Sequence, residues 1–241
     1  METFLSDVRE MLAPARDSPH GPLAPLLVAM TFVTGLVDAY SYLVLGHVFV
    51  ANLTGNILFL GFALVGEHGL SVAASLSALG AFVLGAAMGG KLIAVMKEHR
   101  GRLLGVASSV QAVFLAIALV FAVLSSSAVQ GGYRYALIVS LAIAMGVQNA
   151  ASRKLAVPDL TTTVLTLTIT GISADSVFVG GSGSRAGRRL VAVVSMFLGA
   201  LVGAAAVLHS QNFFSLMGAL FIVAAVTAWI SAAGSSNPAW I

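Results

Sequence analysis

Eight apolar segments follow one another almost without a break, over residues 22–46, 48–66, 70–96, 103–126, 133–155, 159–180, 190–209 and 213–232. Each is close to the ~20 residues a helix needs to cross a bilayer. Such a chain cannot cover itself with a water-facing surface. Only 9% of its residues are charged and 59% are hydrophobic, whereas a soluble domain carries about 25% charged residues. The expectation is therefore an all-α polytopic membrane protein with the lipid bilayer as its first partner. The chain has no cysteine, which excludes disulfides, thiolate catalysis and cysteine-bound metal. The five histidines are scattered, so a histidine metal site is not expected. Its net charge of +3 comes from basic residues in short loops, a topology signal and not a nucleic-acid footprint.

Eight full spans do not satisfy those charges. Basic residues cluster at Arg9 and Arg16, at Lys97, Arg100 and Arg102, at Arg153 and Lys154, and at Arg185, Arg188 and Arg189. With eight crossings, either orientation puts one of these clusters outside. If 48–66 and 159–180 instead enter and leave by the same face, all four clusters face the cytoplasm and Arg134 alone lies outside. About six spanning helices plus two re-entrant or broken segments fit best. Residues 1–21 form a cytoplasmic tail, and Phe4, Leu5, Val8, Met11 and Leu12 have the spacing of a short amphipathic helix. A loose polar tail is the alternative.

Three weak internal matches occur in the same order: GLVDAYSY (35–42) with GVQNAASR (146–153), FVANLTGNILFLG (49–61) with AVPDLTTTVLTLT (156–168), and FVLGAAMGG (82–90) with MFLGALVGA (196–204). Their offsets are 111, 107 and 114 residues. They divide the chain into a first membrane repeat, 22–126, and a second, 127–241. Three spans per half make the second half upside down, as in the inverted repeats of transporters. Gly85 with Gly89 and Gly199 with Gly203 fall at equivalent places. They suit close helix packing inside the bundle, with a homodimer face as the alternative.

Polar residues interrupt the greasy sequence in two places. Asn52, Thr54, Gly55 and Asn56 sit in the first. Gly55 would tolerate positive φ, and Asn52 and Thr54 could cap a half-helix. Pro158 and Asp159 would start a half-helix in the second, followed by Thr161, Thr162 and Thr163. Such half-helix ends offer N–H groups to a polar or anionic solute. Asp38 lies inside the first span, where a carboxylate is costly and so points to a proton carrier or cation ligand. A structural hydrogen bond, to a neighbouring helix or to Tyr40 or Tyr42, is the plain alternative. The aligned residue in the second half is neutral Asn149, with Gln148 beside it. Asp38, Asn52, Thr54, Gly55, Asn56, Gln148, Asn149, Asp159, Thr161, Thr162 and Thr163 are the candidate substrate-binding set; Arg153 and Lys154 read as topology anchors, with substrate ligands as the alternative.

The order Val37–Asp38, Asn52–Leu53–Thr54–Gly55–Asn56, Gln148–Asn149–Ala150 and Asp159–Leu160–Thr161–Thr162 resembles the YoaK-like family of bacterial membrane proteins, a domain of unknown function. The resemblance runs over about residues 25 to 230 and implies a bacterial inner-membrane location. It implies no substrate or site residues. No enzyme motif and no cofactor signature is present. The leading expectation is a small secondary transporter or permease of a small solute or ion, with Asp38 available for proton or cation coupling. An ion channel and a non-transporting scaffold or complex subunit are the alternatives.

Overall fold

The computed structural model describes residues 2–15, 18, 20–96, 99–125, 129–163, 165–176, 179–181, 185–209 and 211–233. Arg16 and Lys97 lie outside these. Nine helices and no strand occur among the described residues. They are α1 (Glu2–Leu12), α2 (Leu23–Val44), α3 (Leu53–Leu64), α4 (Val72–Val95), α5 (Arg100–Leu124), α6 (Gly131–Leu155), α7 (Leu165–Ala174), α8 (Ala186–His209) and α9 (Phe214–Ala233). Six of them, α2, α4, α5, α6, α8 and α9, are long and apolar enough to cross a membrane. The 12 residues of α3 and 10 of α7 reach about 18 and 15 Å at 1.5 Å per residue, well short of an apolar layer about 30 Å thick.

Most of the basic residues gather at one end of the bundle. Arg100, at the start of α5, donates to the carbonyl of Leu155 at the end of α6 (2.7 Å) and lies 3.3 Å from Nδ1 of His20, just before α2. Burial, then the charges of Arg100 and Arg188, hold the His20 imidazole below its ordinary pKa. Arg188, near the start of α8, reaches Glu10 of α1 and the Pro158 carbonyl. At the opposite end, Arg134 of α6 donates to the Leu45 carbonyl after α2 (2.7 Å). A cation is well placed at a helix C-terminus. Gly46, at φ +82°, leaves room for that guanidinium, which a Cβ would meet.

Small residues set the bundle's two tightest pairs, α2 with α8 and α4 with α6. Gly199 lies against Phe32 and Gly203 against Leu36; Gly85 lies against Ile143 and Gly89 against Val147. Within each pair the residue numbers rise together, so the partners run parallel. A Cβ on Gly203 would sit 2.9 Å from the Leu36 carbonyl, and one on Gly85 2.8 Å from Ile143 Cα. Backbones approach this closely only where side chains are absent, and dispersion is what binds helices in lipid. All four glycines face inward.

The parallel pairs also place the chain ends of the broken segments. Because α4 runs alongside α6, it starts at the end where Arg134 meets Leu45. Residues 45–71 therefore leave and return at that one end. Because α8 runs alongside α2, it starts at the basic end, where α6 stops. Ala156 and Arg185 therefore both lie at that end. Helix α1 does form at the N-terminus and packs on α8, with Met11 fully buried and Gly187 against Phe4, Asp7 and Val8.

Candidate functional site

The first polar stretch folds around Asp38. The carboxylate is 5% exposed, and its two oxygens take four donors. Oδ1 accepts from the backbone N–H of Val50 (3.0 Å) and Ala51 (2.9 Å), and Oδ2 from the N–H of Asn52 (3.0 Å) and from its side-chain amide. The backbone that leaves α2 and turns inward over 48–52 is thus satisfied by a carboxylate carried on α2. Charge-assisted bonds of this kind are the strong ones. Asn56 completes the fold-back. Its Oδ1 accepts from Phe49 N–H (2.8 Å) and its Nδ2 donates to the Phe49 carbonyl, and its side chain is wholly buried.

Two expectations about this stretch need correcting. Asn52 stands at the N-cap of α3 but makes no capping bond, because its amide is turned to Asp38. Thr54 does not cap either and is exposed in the first turn of α3. Gly55 is helical, and no left-handed conformation requires it. A Cβ there would sit 2.8 Å from the Phe49 ring, which stacks between Tyr42 and Phe59.

The second polar stretch is built differently. Asp159 starts no helix; it lies at φ +65°, and α7 begins only at Leu165. Its carboxylate instead pairs with Arg189 (3.0 Å) and approaches Arg188 (3.9 Å), while Arg189 also holds Asp175 (2.8 Å). Asp159 is thus an ion-pair residue at the basic end, where Glu10 and α1 join the same network. Thr162 is buried, with φ +63°, a conformation that is uncommon for a β-branched side chain. Thr163 donates to Asn149 Oδ1 (2.6 Å), and Asn149 Nδ2 donates to the Met145 carbonyl (3.0 Å).

Gln148 points away from that stretch into the bundle centre. It donates to Thr34 Oγ1 (2.9 Å) and the Met30 carbonyl (3.3 Å), and accepts from Gln111 (2.6 Å). It ties α2, α5 and α6 together as interhelical glue.

A cavity of about 740 Å³ opens at the second stretch. Asn149, Thr161 and Thr163 line it beside Ala150, with Arg153 and Lys154, and its other wall is α4 through Phe82, Ala86, Gly90 and Ile93. Apolar walls with a few convergent polar groups are the usual make-up of a ligand site. Neither Asp38, Asn52 nor Asn56 lines it. A second cavity, about 330 Å³ between α1, α2 and α8, is lined by apolar side chains and Ser195. No cluster of three metal-ligating side chains occurs among the described residues.

Residues 26–232 match the family described as "Protein of unknown function (DUF1275)". The chain belongs to this family. It is also 35% identical over 155 residues to the UPF0700 transmembrane protein YoaK of Bacillus subtilis (strain 168). That match covers 62% of this chain and 65% of the relative, so just under two thirds of the relative's length is spanned. No solved structure matches.

Within this DUF1275 chain, then, the expected site residues fall into separate places. Asp38, Asn52 and Asn56 form one cluster. Asn149, Thr161 and Thr163 line the cavity, Gln148 and Thr162 are packed inside, and Asp159 serves the ionic cluster. The α4 wall carries no signal in the sequence, because Phe82, Ala86 and Ile93 read as ordinary apolar span. Arg153 and Lys154 line the cavity, whereas their sequence context favours topology anchors over substrate ligands.

Proposed function

We propose that this DUF1275 protein is a small permease that binds a polar solute in the cavity between α4, α6 and residues 161–163. The observation that carries the reading is convergence. One amide, two hydroxyls and two cations line a cavity of about 740 Å³ that opens toward the basic end, where Arg153, Lys154 and Thr161 are exposed, beside backbone that has left the helix. Irregular backbone at membrane depth is tolerated where it is packed in protein or lines a wet cavity. The basic end is the cytoplasmic end in this reading, with the N-terminus there, in a bacterial inner membrane.

An inverted repeat supports it. Exchanging the halves exchanges α2 with α6, α3 with α7, α4 with α8 and α5 with α9. The two tightest pairs, α2–α8 and α4–α6, then exchange with each other. So do their close approaches, Gly199 on Phe32 and Gly85 on Ile143. Helix α3 packs on α4 as α7 packs on α8. Two such halves can rock between states open to opposite faces. Proton coupling through Asp38 would require its four donors to let go, so Asp38 acts here as a positioning residue.

A second reading, a membrane scaffold or complex subunit, draws on the first stretch, where Asp38, Asn52 and Asn56 are engaged by internal bonds. The chain has no cysteine, so a single Ala86→Cys separates the readings. In vesicles of known orientation, a membrane-impermeant thiol reagent should modify position 86 from both sides, since a permease exposes its site alternately. Reaction from the basic side alone favours the scaffold. A channel would reveal itself by sustained current in planar bilayers.

A further inference from the structure

We propose that the ligand of the cavity at Asn149 is a small organic carboxylate with an apolar body. This rests on reading that cavity as a solute site, and it follows from what the other half of the chain places at the equivalent position.

The two halves carry one arrangement twice. Asp38 and Asn149 each lie three residues after a glycine, Gly35 and Gly146. Both glycines are pressed against the backbone of a parallel helix, Gly35 at Gly199 and Gly146 at Gly85. Each polar residue then bonds the side chain 14 positions further on, Asp38 to Asn52 and Asn149 to Thr163. Counted from these bonded pairs, residues 50–52 correspond to 161–163, four positions later than the sequence match of 49–61 with 156–168 places them, and α3 and α7 begin just after them.

In the first half, a carboxylate that is part of the chain fills the space against residues 50–52 and takes three backbone N–H groups and an amide. In the second half the same position holds a neutral amide. Both ends of the Asn149 side chain are turned to protein, to Met145 and Thr163. Where the first half is filled by its own carboxylate, the second has a cavity whose lining contains Arg153 and Lys154 and no acidic side chain. The missing charge is the one a diffusible carboxylate supplies. Arg offers a planar fork matched to a carboxylate, and Lys a mobile point charge. The opposite wall, with Phe82 and Ile93, is apolar, so the carboxylate carries a short hydrocarbon part.

The test uses the full chain with Gly90→Cys. Gly90 lines the cavity, and a Cβ there meets nothing within 4 Å. The readout is the rate of modification by a small neutral maleimide. The probe is sodium butyrate, with sodium chloride as the ionic control and n-butylammonium chloride as the charge-reversed isostere. A ligand of so few atoms binds in the millimolar range, so labelling should slow at least about twofold in tens of millimolar butyrate and stay unchanged in the two controls. Asn149→Asp, which restores the first-half residue, should abolish the protection by placing a tethered carboxylate in the site. Arg153→Gln with Lys154→Gln should weaken it without touching the fold-back. Equal rates in all three salts, protection by butylammonium, or full protection retained in Asn149→Asp would each overturn the proposal. None of these results bears on whether position 86 is reached from both sides, so the ligand class can fail while the permease reading stands.

Discussion

Asp38 gives up both its oxygens to the chain that follows it, which changes what its substitution should do. Asparagine at 38 would turn an NH₂ group toward backbone donors that now meet an oxygen, leaving buried N–H groups unpaired. Asp38→Asn should lower stability by about 2–5 kcal/mol, seen as an earlier melt by circular dichroism in detergent. Tyr40, two residues further along the same span, makes the contrast. Its hydroxyl is buried without a hydrogen-bond partner, so Tyr40→Phe should be neutral within about 0.5 kcal/mol or mildly stabilising. If Tyr40→Phe destabilised as strongly as Asp38→Asn, the clasp account of Asp38 would lose its support. The polar residues themselves could be picked out from the sequence, because a carboxylate in an apolar span is conspicuous. Which of them meet could not, since Asp38 and Asn52 lie 14 positions apart and only the fold-back unites them.

Helices α3 and α7 are where hydropathy and structure diverge. Residues 48–66 and 159–180 have the length and enough apolar residues to read as spans, yet helix covers only Leu53–Leu64 and Leu165–Ala174. Hydropathy measures transfer into lipid, and a short helix whose apolar side chains stay on the outside, as Ile57, Leu58, Phe62, Leu167 and Ile169 do, reads like a span while the backbone before it turns. The Asp159 expectation failed for a related reason. The sequence shows a good capping residue, but two arginines brought up by α8 make ion pairing the stronger claim on that carboxylate. Between the long helices the decisive residues are glycines. Gly199→Leu should destabilise by more than about 3 kcal/mol, since the Phe32 backbone occupies the space a side chain would need. Gly61→Leu, exposed on α3 with nothing within 4 Å, should leave the melting temperature almost unchanged. Similar losses at both sites would count against the close crossing of α2 and α8.

For the bundle as a whole, the arrangement of its ends is the testable feature. His68 lies between α3 and α4, Tyr133 at the start of α6, and Arg102 and Arg185 near the basic end. Single cysteines at 68 and 133 should label together from one side of the membrane, and those at 102 and 185 from the other. Position 68 labelling with 102 would mean that α3 crosses, and the fold-back over 48–52 would be lost with it. The cavity belongs to this level too. It is bounded by α4, α6 and residues 161–163, which no stretch of sequence places side by side.

Composition and charge placement alone settle that the chain is helical, that it crosses a membrane several times and that six crossings suit its basic loops better than eight, because the cost of burying charge and unpaired backbone in lipid applies to every arrangement of the same residues. They also mark which residues are out of place in apolar surroundings. Tertiary structure decides what each of those residues does: Asp38 closes a fold-back, Gln148 ties three helices, Asp159 pairs with arginines, and Asn149 stands beside an open cavity. Those outcomes depend on which side chains packing brings within about 3 Å of one another, and distances of that order are set by the crossing of helices that are remote in the chain.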